Sequence, residues 1–399
     1  MLRSRLIGTG SYLPARVLTN SELERMVETS DDWIVERTGI RERRIAAPDE
    51  ATSDLAVAAG QRALEAAGIR ATDLDLILVA TATPDMLFPA TACLVQARLG
   101  ATKAFAFDVS AACTGFLYAL SVADQYVKSG ALRTVLVIGA EVLSRVVDWS
   151  DRGTCILFGD GAGAVVVRAD AGERGVLSTH LHADGALWDF IHVPGGGSRH
   201  PPSDAMLQQR LQFIRMKGSE TFKVAVRALE DTALEALKAN GFAVTDVDWL
   251  IPHQANRRIL EAVADRLSLS AERVVMNMAR VGNTSAASIP IALDEAVRDG
   301  RVTPGHLLVF AAFGAGLSYR DLTKRTELQP AQCKLIKTLQ LPGGATVKAG
   351  DTFIILEFHP KELILLMPDG LTTFAVLPDD TDVVAVANLQ NSKTDGTKK

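Results

Sequence analysis

The sequence predicts an α/β protein made of two duplicated βαβ halves in a layered α/β/α/β/α arrangement, followed by a small C-terminal β-rich module. Short, nearly continuous apolar runs alternate with alanine-rich helical patterns, as expected of parallel strands buried on both faces. Two stretches of the chain resemble each other at a fixed offset of 173 residues. The use of arginine and lysine changes abruptly near residue 326.

The duplication is visible in strand-like segments. Leu74–Leu78 matches Val247–Ile251, and Val135–Ile138 matches Leu308–Ala311 at the same offset. Helical patterns between these segments also align. Each apolar run is short and lies next to an alanine-rich stretch, which is typical of β–α–β units in a mainly parallel sheet.

Two boundaries follow from these features. The halves of the duplication are assigned to residues 1–173 and 174–325. Up to Arg325 the chain carries 29 Arg and 6 Lys, whereas from Leu328 onward it carries no Arg and 7 Lys. Because residue usage rarely changes so sharply inside one domain, a separate module begins there.

The module, residues 328–390, alternates apolar and polar residues between turns rich in Pro and Gly, which predicts four or five short strands. The polar end, residues 391–399, is expected to be frayed. The predicted strands lie at 351–358, 362–367, 371–377 and 382–387.

Composition excludes several classes of protein. Hydrophobic residues make up 48% and charged residues 22%, values ordinary for a globular protein. No apolar run approaches the roughly 20 residues of a membrane helix, and the N-terminus lacks the apolar centre of a secretory signal, so we expect a cytoplasmic protein with no membrane partner. The net charge of −5 argues against nucleic-acid binding. Four scattered cysteines predict neither a disulfide framework nor a zinc site.

Ligands usually bind where loops leave the carboxyl ends of parallel strands, and one such loop contains Cys113. This loop follows strand-like Ala104–Val109 and opens an apolar helix that runs to about Tyr126. Amide dipoles at a helix N-terminus favour the thiolate, which lowers the pKa of a thiol. Taken alone, a cysteine among alanines is more often a buried core residue.

Two further loops supply polar side chains. His253 follows the buried strand that ends at Ile251 and is a candidate general acid/base or hydrogen-bond donor, with a capping or core role as the alternative. Asn283 lies in a loop before another helix. It either caps that helix or donates its side-chain amide to a substrate carbonyl. A Cys, a His and an Asn, each just before a helix, together predict a nucleophilic site.

With these motifs the sequence resembles the β-ketoacyl-acyl-carrier-protein synthase III family, the initiating condensing enzymes of bacterial fatty acid synthesis. The likeness runs from Leu6 to about Ser318. It implies a thiolase fold, an acyltransferase activity without metal or cofactor, and a homodimer. Besides the three loops, the matching segments are Ser30–Ile34, Arg37–Arg41, Asp151–Gly163 and Ala312–Gly316.

The resemblance implies a role for each matching residue. Cys113 would take an acyl group from acyl-CoA, and the amides of Cys113 and Ala315 would form the oxyanion hole. His253 and Asn283 would donate hydrogen bonds to the thioester carbonyl of malonyl-acyl carrier protein while carbon dioxide leaves. The implied acyl-CoA contacts are Trp33, Arg37, Arg152, Phe88, Phe313, Gly218 and Asn256. The implied carrier-protein docking residues are Lys223, Arg258 and Arg266, although Asp265 interrupts that basic pattern.

Two other functions remain open at this point. The same Cys-His-Asn set serves condensing enzymes or acyltransferases of specialised polyketide, quinolone or ketone pathways. A non-catalytic acyl-CoA-binding scaffold that works through its tail is the alternative from another class. A degradative thiolase would require a second cysteine near Phe313–Gly316, which has none. The chain also departs from the family's usual ending at Leu317–Asp321 and continues into the β-rich module.

Overall fold

A computed structural model describes residues 2–315 and, beyond them, six short strands between residues 332 and 376. The chain divides into two units, Met1–Arg320 and Asp321–Lys399. The strands of the first unit are β1 (Arg3–Tyr12), β2 (Arg16–Thr19), β3 (Glu42–Ile45), β4 (Leu76–Ala80), β5 (Phe105–Val109), β6 (Thr134–Glu141), β7 (Gly161–Asp170), β8 (Ile191–His192), β9 (Arg215–Met216), β10 (Trp249–Pro252) and β11 (Leu308–Ala311).

Helices connect most of these strands. They are α1 (Asn20–Leu23), α2 (Asp31–Thr38), α3 (Thr52–Ala67), α4 (Thr91–Leu99), α5 (Gly115–Lys128), α6 (Arg152–Cys155), α7 (Asp204–Gln208), α8 (Gly218–Ala239), α9 (Arg257–Leu267), α10 (Met278–Val281) and α11 (Ser288–Arg298). Two short 3-10 turns, Ala112–Thr114 and Ser285–Ala287, immediately precede α5 and α11.

The larger sheet of the first unit has the strand order β1-β7-β6-β4-β5. β4 runs parallel to β5 and β6, whereas β7 is antiparallel to both β6 and β1. The sheet is therefore mixed rather than wholly parallel. β10 and β11 form a second, parallel pair.

Alternating side chains place these sheets in five layers. In β4, Ile77 and Val79 pack with residues of α3 and α4, while Leu76 and Leu78 pack with α5 and α11 on the opposite face. In β10, Ile251 shares the α5 and α11 side, whereas Leu250 packs with α8 and α9. The order is thus helices, sheet, helices, sheet, helices, which confirms the predicted α/β/α/β/α arrangement.

The duplication recurs in the strand register. Leu76 of β4 is opposite Val135 of β6, and Trp249 of β10 is opposite Leu308 of β11, so both partners are shifted by the same 173 residues. α5 begins at residue 115 and α11 at residue 288, again 173 apart. The division into halves at residues 173 and 174 stays a prediction.

The second unit contains antiparallel strands. β12 (Gln332–Lys334), β15 (Thr352–His359), β16 (Glu362–Leu366) and β17 (Thr373–Val376) form one sheet in that order. β13 (Leu339–Gln340) pairs with β14 (Thr346–Val347). Three of the four strands predicted for the module therefore lie where the pattern placed them, while the fourth, at 382–387, and the tail at 391–399 lie outside the described residues.

Candidate active site

Cys113 lies in the 3-10 turn that links β5 to α5, one turn before the helix proper. Its side chain is half-buried. Burial raises the pKa of the Cys113 thiol to about 12, more than a hydrogen bond from the Ser285 side chain lowers it, and the charge of Glu141 raises it further. The expectation of a thiol acidified by the helix N-terminus is therefore wrong for this structure, because desolvation of the thiolate outweighs the favourable dipoles.

His253 follows β10, and its backbone N–H donates to the carbonyl of Ala311 at 2.8 Å, so it continues the pairing with β11. The ring is buried, and burial lowers its pKa to about 3. At neutral pH the imidazole is therefore uncharged. Its Nδ1 lies 2.7 Å from the hydroxyl oxygen of Ser288. The ring of Phe313 packs edge-on against it, with the two centroids 5.7 Å apart.

Asn283 is held at both its backbone and its side chain. Its N–H donates to the carbonyl of Leu157, and its own carbonyl accepts from Gly159, both at 2.9 Å. The side-chain Oδ1 accepts from the backbone N–H of Ser285 at 2.9 Å. Since the amide oxygen is used in this way, the Nδ2 group is oriented away from the turn as a donor.

The three predicted catalytic residues are linked through the segment that runs from Asn283 to Ser288. Ser285 contacts Cys113, and Ser288 contacts His253. Both serines are buried. The sequence patterns alone assign no role to either serine. The feature of the sequence that could have pointed to them is their position, two and five residues after Asn283 and at the start of a helix.

Gly314 lies against the turn that contains Cys113. A Cβ atom at residue 314 would lie 3.0 Å from the Thr114 nitrogen and 3.1 Å from the Cys113 nitrogen, closer than ordinary contacts. Because residue 314 has no side chain, its backbone can approach the turn that contains Cys113 closely. The half-buried Ala315 follows directly. Ala315 is therefore next in the chain to the residue that lies against the Cys113 turn. The amides of Cys113 and Ala315 are the two that are expected to form the oxyanion hole.

A buried carboxylate that the sequence reasoning missed lies at the end of β6. Glu141 accepts from the Thr83 hydroxyl at 2.6 Å and from the Ala82 N–H at 3.1 Å. Burial raises its pKa, and hydrogen bonds that include those of Thr83 and Ala82 oppose the rise. Glu141 could have been found by examining the carboxyl end of every predicted strand for charged residues. β5 and β6 both run parallel to β4, so their carboxyl ends lie at the same edge of the sheet, where ligands usually bind.

Three residues expected to contact acyl-CoA form one cluster on the surface. The guanidinium carbons of Arg37 and Arg152 lie 4.7 and 4.9 Å from the centroid of the Trp33 ring. Arg152 also donates to the carbonyl of Glu28 at 3.0 Å. These are cation–π distances, so the structure brings all three together.

The other predicted acyl-CoA contacts are more dispersed. Phe313 is buried beside His253, whereas Phe88 is exposed in the loop after β4. Asn256 caps α9 through the N–H of Arg258 and donates to the carbonyl of Arg37 at 3.0 Å, so its amide is engaged in structure. Gly218 is the exposed first residue of α8, where an added Cβ would make only an ordinary contact.

The predicted docking residues lie on two neighbouring helices. Lys223 on α8 and Arg258 on α9 are exposed, and the Arg258 guanidinium lies 5.6 Å from the ring centroid of Phe222. Arg266 on α9 forms an ion pair with Glu230. Its charge is thus partly compensated within the chain.

Within residues 2–315 and the six later strands, no cluster of three His, Cys, Asp or Glu side chains is arranged to hold a metal ion. In the same part of the chain, no helix has the length and apolarity needed to cross a bilayer.

The layered duplicated fold and the linked Cys, His and Asn define a condensing or acyl-transferring enzyme of the thiolase fold. Family models described as 3-oxoacyl-[acyl-carrier-protein] synthase III and its C-terminal part match residues 107–185 and 237–324. Beta-ketoacyl-[acyl-carrier-protein] synthase III of Xanthomonas campestris pathovar campestris is 58% identical over 321 residues, which are 79% of this chain and 96% of that protein.

Solved structures also resemble this chain in sequence and fold. The 3-oxoacyl-[acyl-carrier-protein] synthase III of Aquifex aeolicus is 50% identical with a TM-score of 0.74, and the match covers 79% of this chain and 97% of that one. The priming β-ketosynthase of the R1128 polyketide biosynthetic pathway is 38% identical with a TM-score of 0.71, over 79% and 93% of the two chains. The chain belongs to the 3-oxoacyl-[acyl-carrier-protein] synthase III family, whose members are condensing acyltransferases.

Proposed function

We propose that this enzyme condenses an acyl group from acyl-CoA with malonyl-acyl carrier protein, giving 3-oxoacyl-acyl carrier protein, CoA and carbon dioxide. The reaction would initiate fatty acid biosynthesis in the cytoplasm. In this scheme acyl-CoA is a substrate, and no metal or cofactor takes part.

In the first half of the reaction, the sulfur of Cys113 attacks the thioester carbonyl of acyl-CoA. The amides of Cys113 and Ala315 stabilise the tetrahedral oxyanion. CoA leaves as its thiol after taking the proton that Cys113 loses, and the acyl group remains on Cys113. The close approach of Gly314 to the Cys113 nitrogen supports this assignment, because it brings the backbone that leads into Ala315 beside the turn.

In the second half, malonyl-acyl carrier protein loses carbon dioxide, and the electron pair of the broken C–C bond forms an enolate. His253 donates from Nε2, which requires Nδ1 to accept from the Ser288 hydroxyl. Asn283 donates from Nδ2. The carbanion then attacks the acyl carbonyl, and the Cys113 thiolate leaves and regains a proton. Two neutral donors suit a charge that develops only during the reaction.

For acyl-CoA we propose the same contacts that the family resemblance implies. An adenine ring stacks on Trp33 after Arg152 gives up its present contact with that ring, while Arg37 faces the phosphates. Gly218 and Asn256 line the pantetheine path. Lys223, Arg258 and Arg266 on α8 and α9 dock the acidic carrier protein.

We further propose a homodimer in which Phe88 helps to close the acyl pocket of the partner. Phe88 is 82% exposed and Leu87 is 80% exposed, and Met86 adds to the same apolar loop. Exposed apolar patches of this kind mark interaction surfaces. The nearby strand β5 lies at the end of the described sheet order, so another copy can approach its outer edge.

One observation carries the proposal: the Oδ1 atom of Asn283 accepts from the Ser285 N–H, which leaves the amide nitrogen as a fixed donor. The test is the intact mass of the protein after incubation with acetyl-, isobutyryl- and octanoyl-CoA, for the wild type and for Cys113→Ala. A gain of one acyl group that disappears in Cys113→Ala is expected and would identify the primer. No acylation by any of the three would contradict the initiating role.

A role in a specialised pathway is the second candidate, favoured by the 38% identity to a polyketide priming β-ketosynthase. Assays with different acceptors separate the two, because rejection of malonyl-acyl carrier protein by the acylated enzyme would exclude initiation of fatty acid synthesis. A chain ending at Arg325 is expected to keep its turnover, since the proposed catalytic residues all precede it. Turnover that required the tail would instead favour a scaffold acting through that module.

A further inference from the structure

The loop between β4 and α4 presents three consecutive exposed apolar side chains, those of Met86, Leu87 and Phe88. A loop that is free to move loses conformational entropy when it binds, and fixing its ends in advance reduces that cost. The contacts at the two ends of this loop therefore determine how firmly Phe88 is presented to a partner.

The first end of the loop is held by α3. Ala51, the residue before α3, has no side-chain acceptor for the free N–H groups at the start of the helix. The carboxylate of Asp85 supplies one from the loop, because both of its oxygens accept from the N–H of Ser53, at 2.9 and 3.2 Å. Beside this contact, the Thr52 hydroxyl donates to the carbonyl of Thr83. A carboxylate is favourable at a helix N-terminus, so this contact both caps α3 and fixes the loop.

The second end of the loop is held by β5. Ala90, the residue before α4, likewise has no side-chain acceptor. The carboxylate of Asp108 on β5 accepts from the N–H groups of Thr91 and Ala92 at 2.7 and 2.8 Å. The N–H of Asp85 donates to the Thr91 hydroxyl at 3.2 Å, which joins the two ends of the loop. The apolar loop is thus fixed at one end to a helix and at the other to the strand that leads to the proposed nucleophile.

We propose that Asp85 is a positioning residue for the acyl pocket: by capping α3 from the loop, it holds Phe88 in the pocket of the partner subunit and so limits the length of the acyl chain that is accepted. This inference rests on the proposed function of Phe88 in the homodimer. Asp85 itself touches no substrate and acts through Phe88. Release of the loop at Asp85 lets Phe88 withdraw, which deepens the pocket and favours longer acyl chains.

The test is the ratio of two second-order rate constants, those of Cys113 acylation by octanoyl-CoA and by acetyl-CoA. Asp85→Ala is expected to raise this ratio about fivefold, the equivalent of one helix-capping bond. Asp85→Asn keeps an acceptor oxygen and caps a helix about as well as Asp, so its ratio is expected to stay near that of the wild type. Asp75→Ala is the matched control, expected to leave the ratio unchanged. It removes a carboxylate at the other end of β4, which accepts from the N–H groups of Arg133 and Thr134 at 2.8 and 2.9 Å.

The ratio separates positioning from a purely structural role. If Asp85 only stabilised α3, its loss would lower the amount of folded enzyme, which reduces both rates equally and leaves their ratio unchanged. An unchanged ratio in folded Asp85→Ala would therefore overturn the proposal. If that variant does not fold, Thr91→Val decides, because it removes the hydroxyl that accepts from the N–H of Asp85 and changes the shape of the side chain little. The ratio is again expected to rise, and an unchanged ratio contradicts the proposal.

Phe88→Ala distinguishes a failure of this proposal from a failure of the proposed function. It removes the ring itself, so it is expected to raise the ratio at least as much as Asp85→Ala does. A rise in Phe88→Ala with none in Asp85→Ala would retain the role of Phe88 and reject that of Asp85. No rise in either variant would contradict both roles. A rise in Asp85→Ala alone would also overturn the proposal, because Asp85 would then not act through Phe88.

Discussion

The hydroxyl oxygen of Ser288 lies 2.7 Å from Nδ1 of His253, and this contact joins the start of α11 to the loop after β10. A neutral imidazole carries one proton, so a hydrogen bond donated to Nδ1 places that proton on Nε2. In that tautomer, which the proposed mechanism requires, the Nε2–H of the buried His253 is available to donate to the substrate.

Ser288→Ala is expected to lower the rate of condensation about fivefold, because one hydrogen bond worth about 1 kcal/mol no longer fixes the tautomer. The measurement is carbon dioxide release from malonyl-acyl carrier protein. Ser121→Ala removes another buried serine, on α5, and serves as the matched control with wild-type rates. Equal rates for both variants would show that Ser288 does not orient His253.

Asn283→Asp is expected to slow decarboxylation by a factor of about 100 to 1,000, as when one oxyanion donor is lost. The substitution keeps an oxygen that can accept from the Ser285 N–H, so the turn is retained. The Nδ2 donor becomes a carboxylate oxygen that repels the enolate. Acylation of Cys113, measured by intact mass, is expected to persist and acts as the internal control. Decarboxylation at the wild-type rate would remove Asn283 from the mechanism.

Gly314→Ala is expected to reduce Cys113 acylation at least tenfold, because the added methyl would lie 3.0 Å from the Thr114 nitrogen and 3.1 Å from the Cys113 nitrogen. Gly185→Ala is the control, since a Cβ there meets nothing within 4 Å. Acylation rates of the two variants with the same acyl-CoA provide the comparison. A wild-type rate for Gly314→Ala would mean that the loop moves freely away from the turn.

The stability of the protein is expected to fall as pH drops below about 6.5, in part through His253. Its folded pKa of about 3 lies below the ordinary value of 6.5, so between those values the unfolded chain binds a proton that the folded chain does not. The unfolding free energy therefore rises with pH across this window, by about 1.4 kcal/mol per unit for this one group.

Urea midpoints at pH 7 and pH 5 check this expectation. His253→Gln lacks the titrating group, so its midpoint is expected to fall less than that of the wild type over the same interval. His200→Gln removes an exposed histidine and is expected to follow the wild type. An identical fall in His253→Gln and the wild type would contradict a neutral, desolvated imidazole.

Much of the fold was predictable because strand and helix periodicity is local. The strand before Cys113, the start of α5 and the offset of 173 all follow from apolar patterns, and the paired register of β4 with β6 and of β10 with β11 repeats that offset. The antiparallel course of β7 was not predicted, because strand direction depends on where the chain returns in space rather than on its residue pattern.

Apolar periodicity and the order of the motifs were enough to predict the layered fold class, the family and the loops that carry Cys113, His253 and Asn283. The side chains that contact these residues became evident only from the packed structure: Ser288 at His253, and Ser285 with Glu141 at Cys113. The same holds for the Cys113 thiol. The helix dipole alone would lower its pKa, whereas burial raises it. Hydrogen-bond partners and desolvation depend on residues far apart in sequence, so they exist only once the layers have packed.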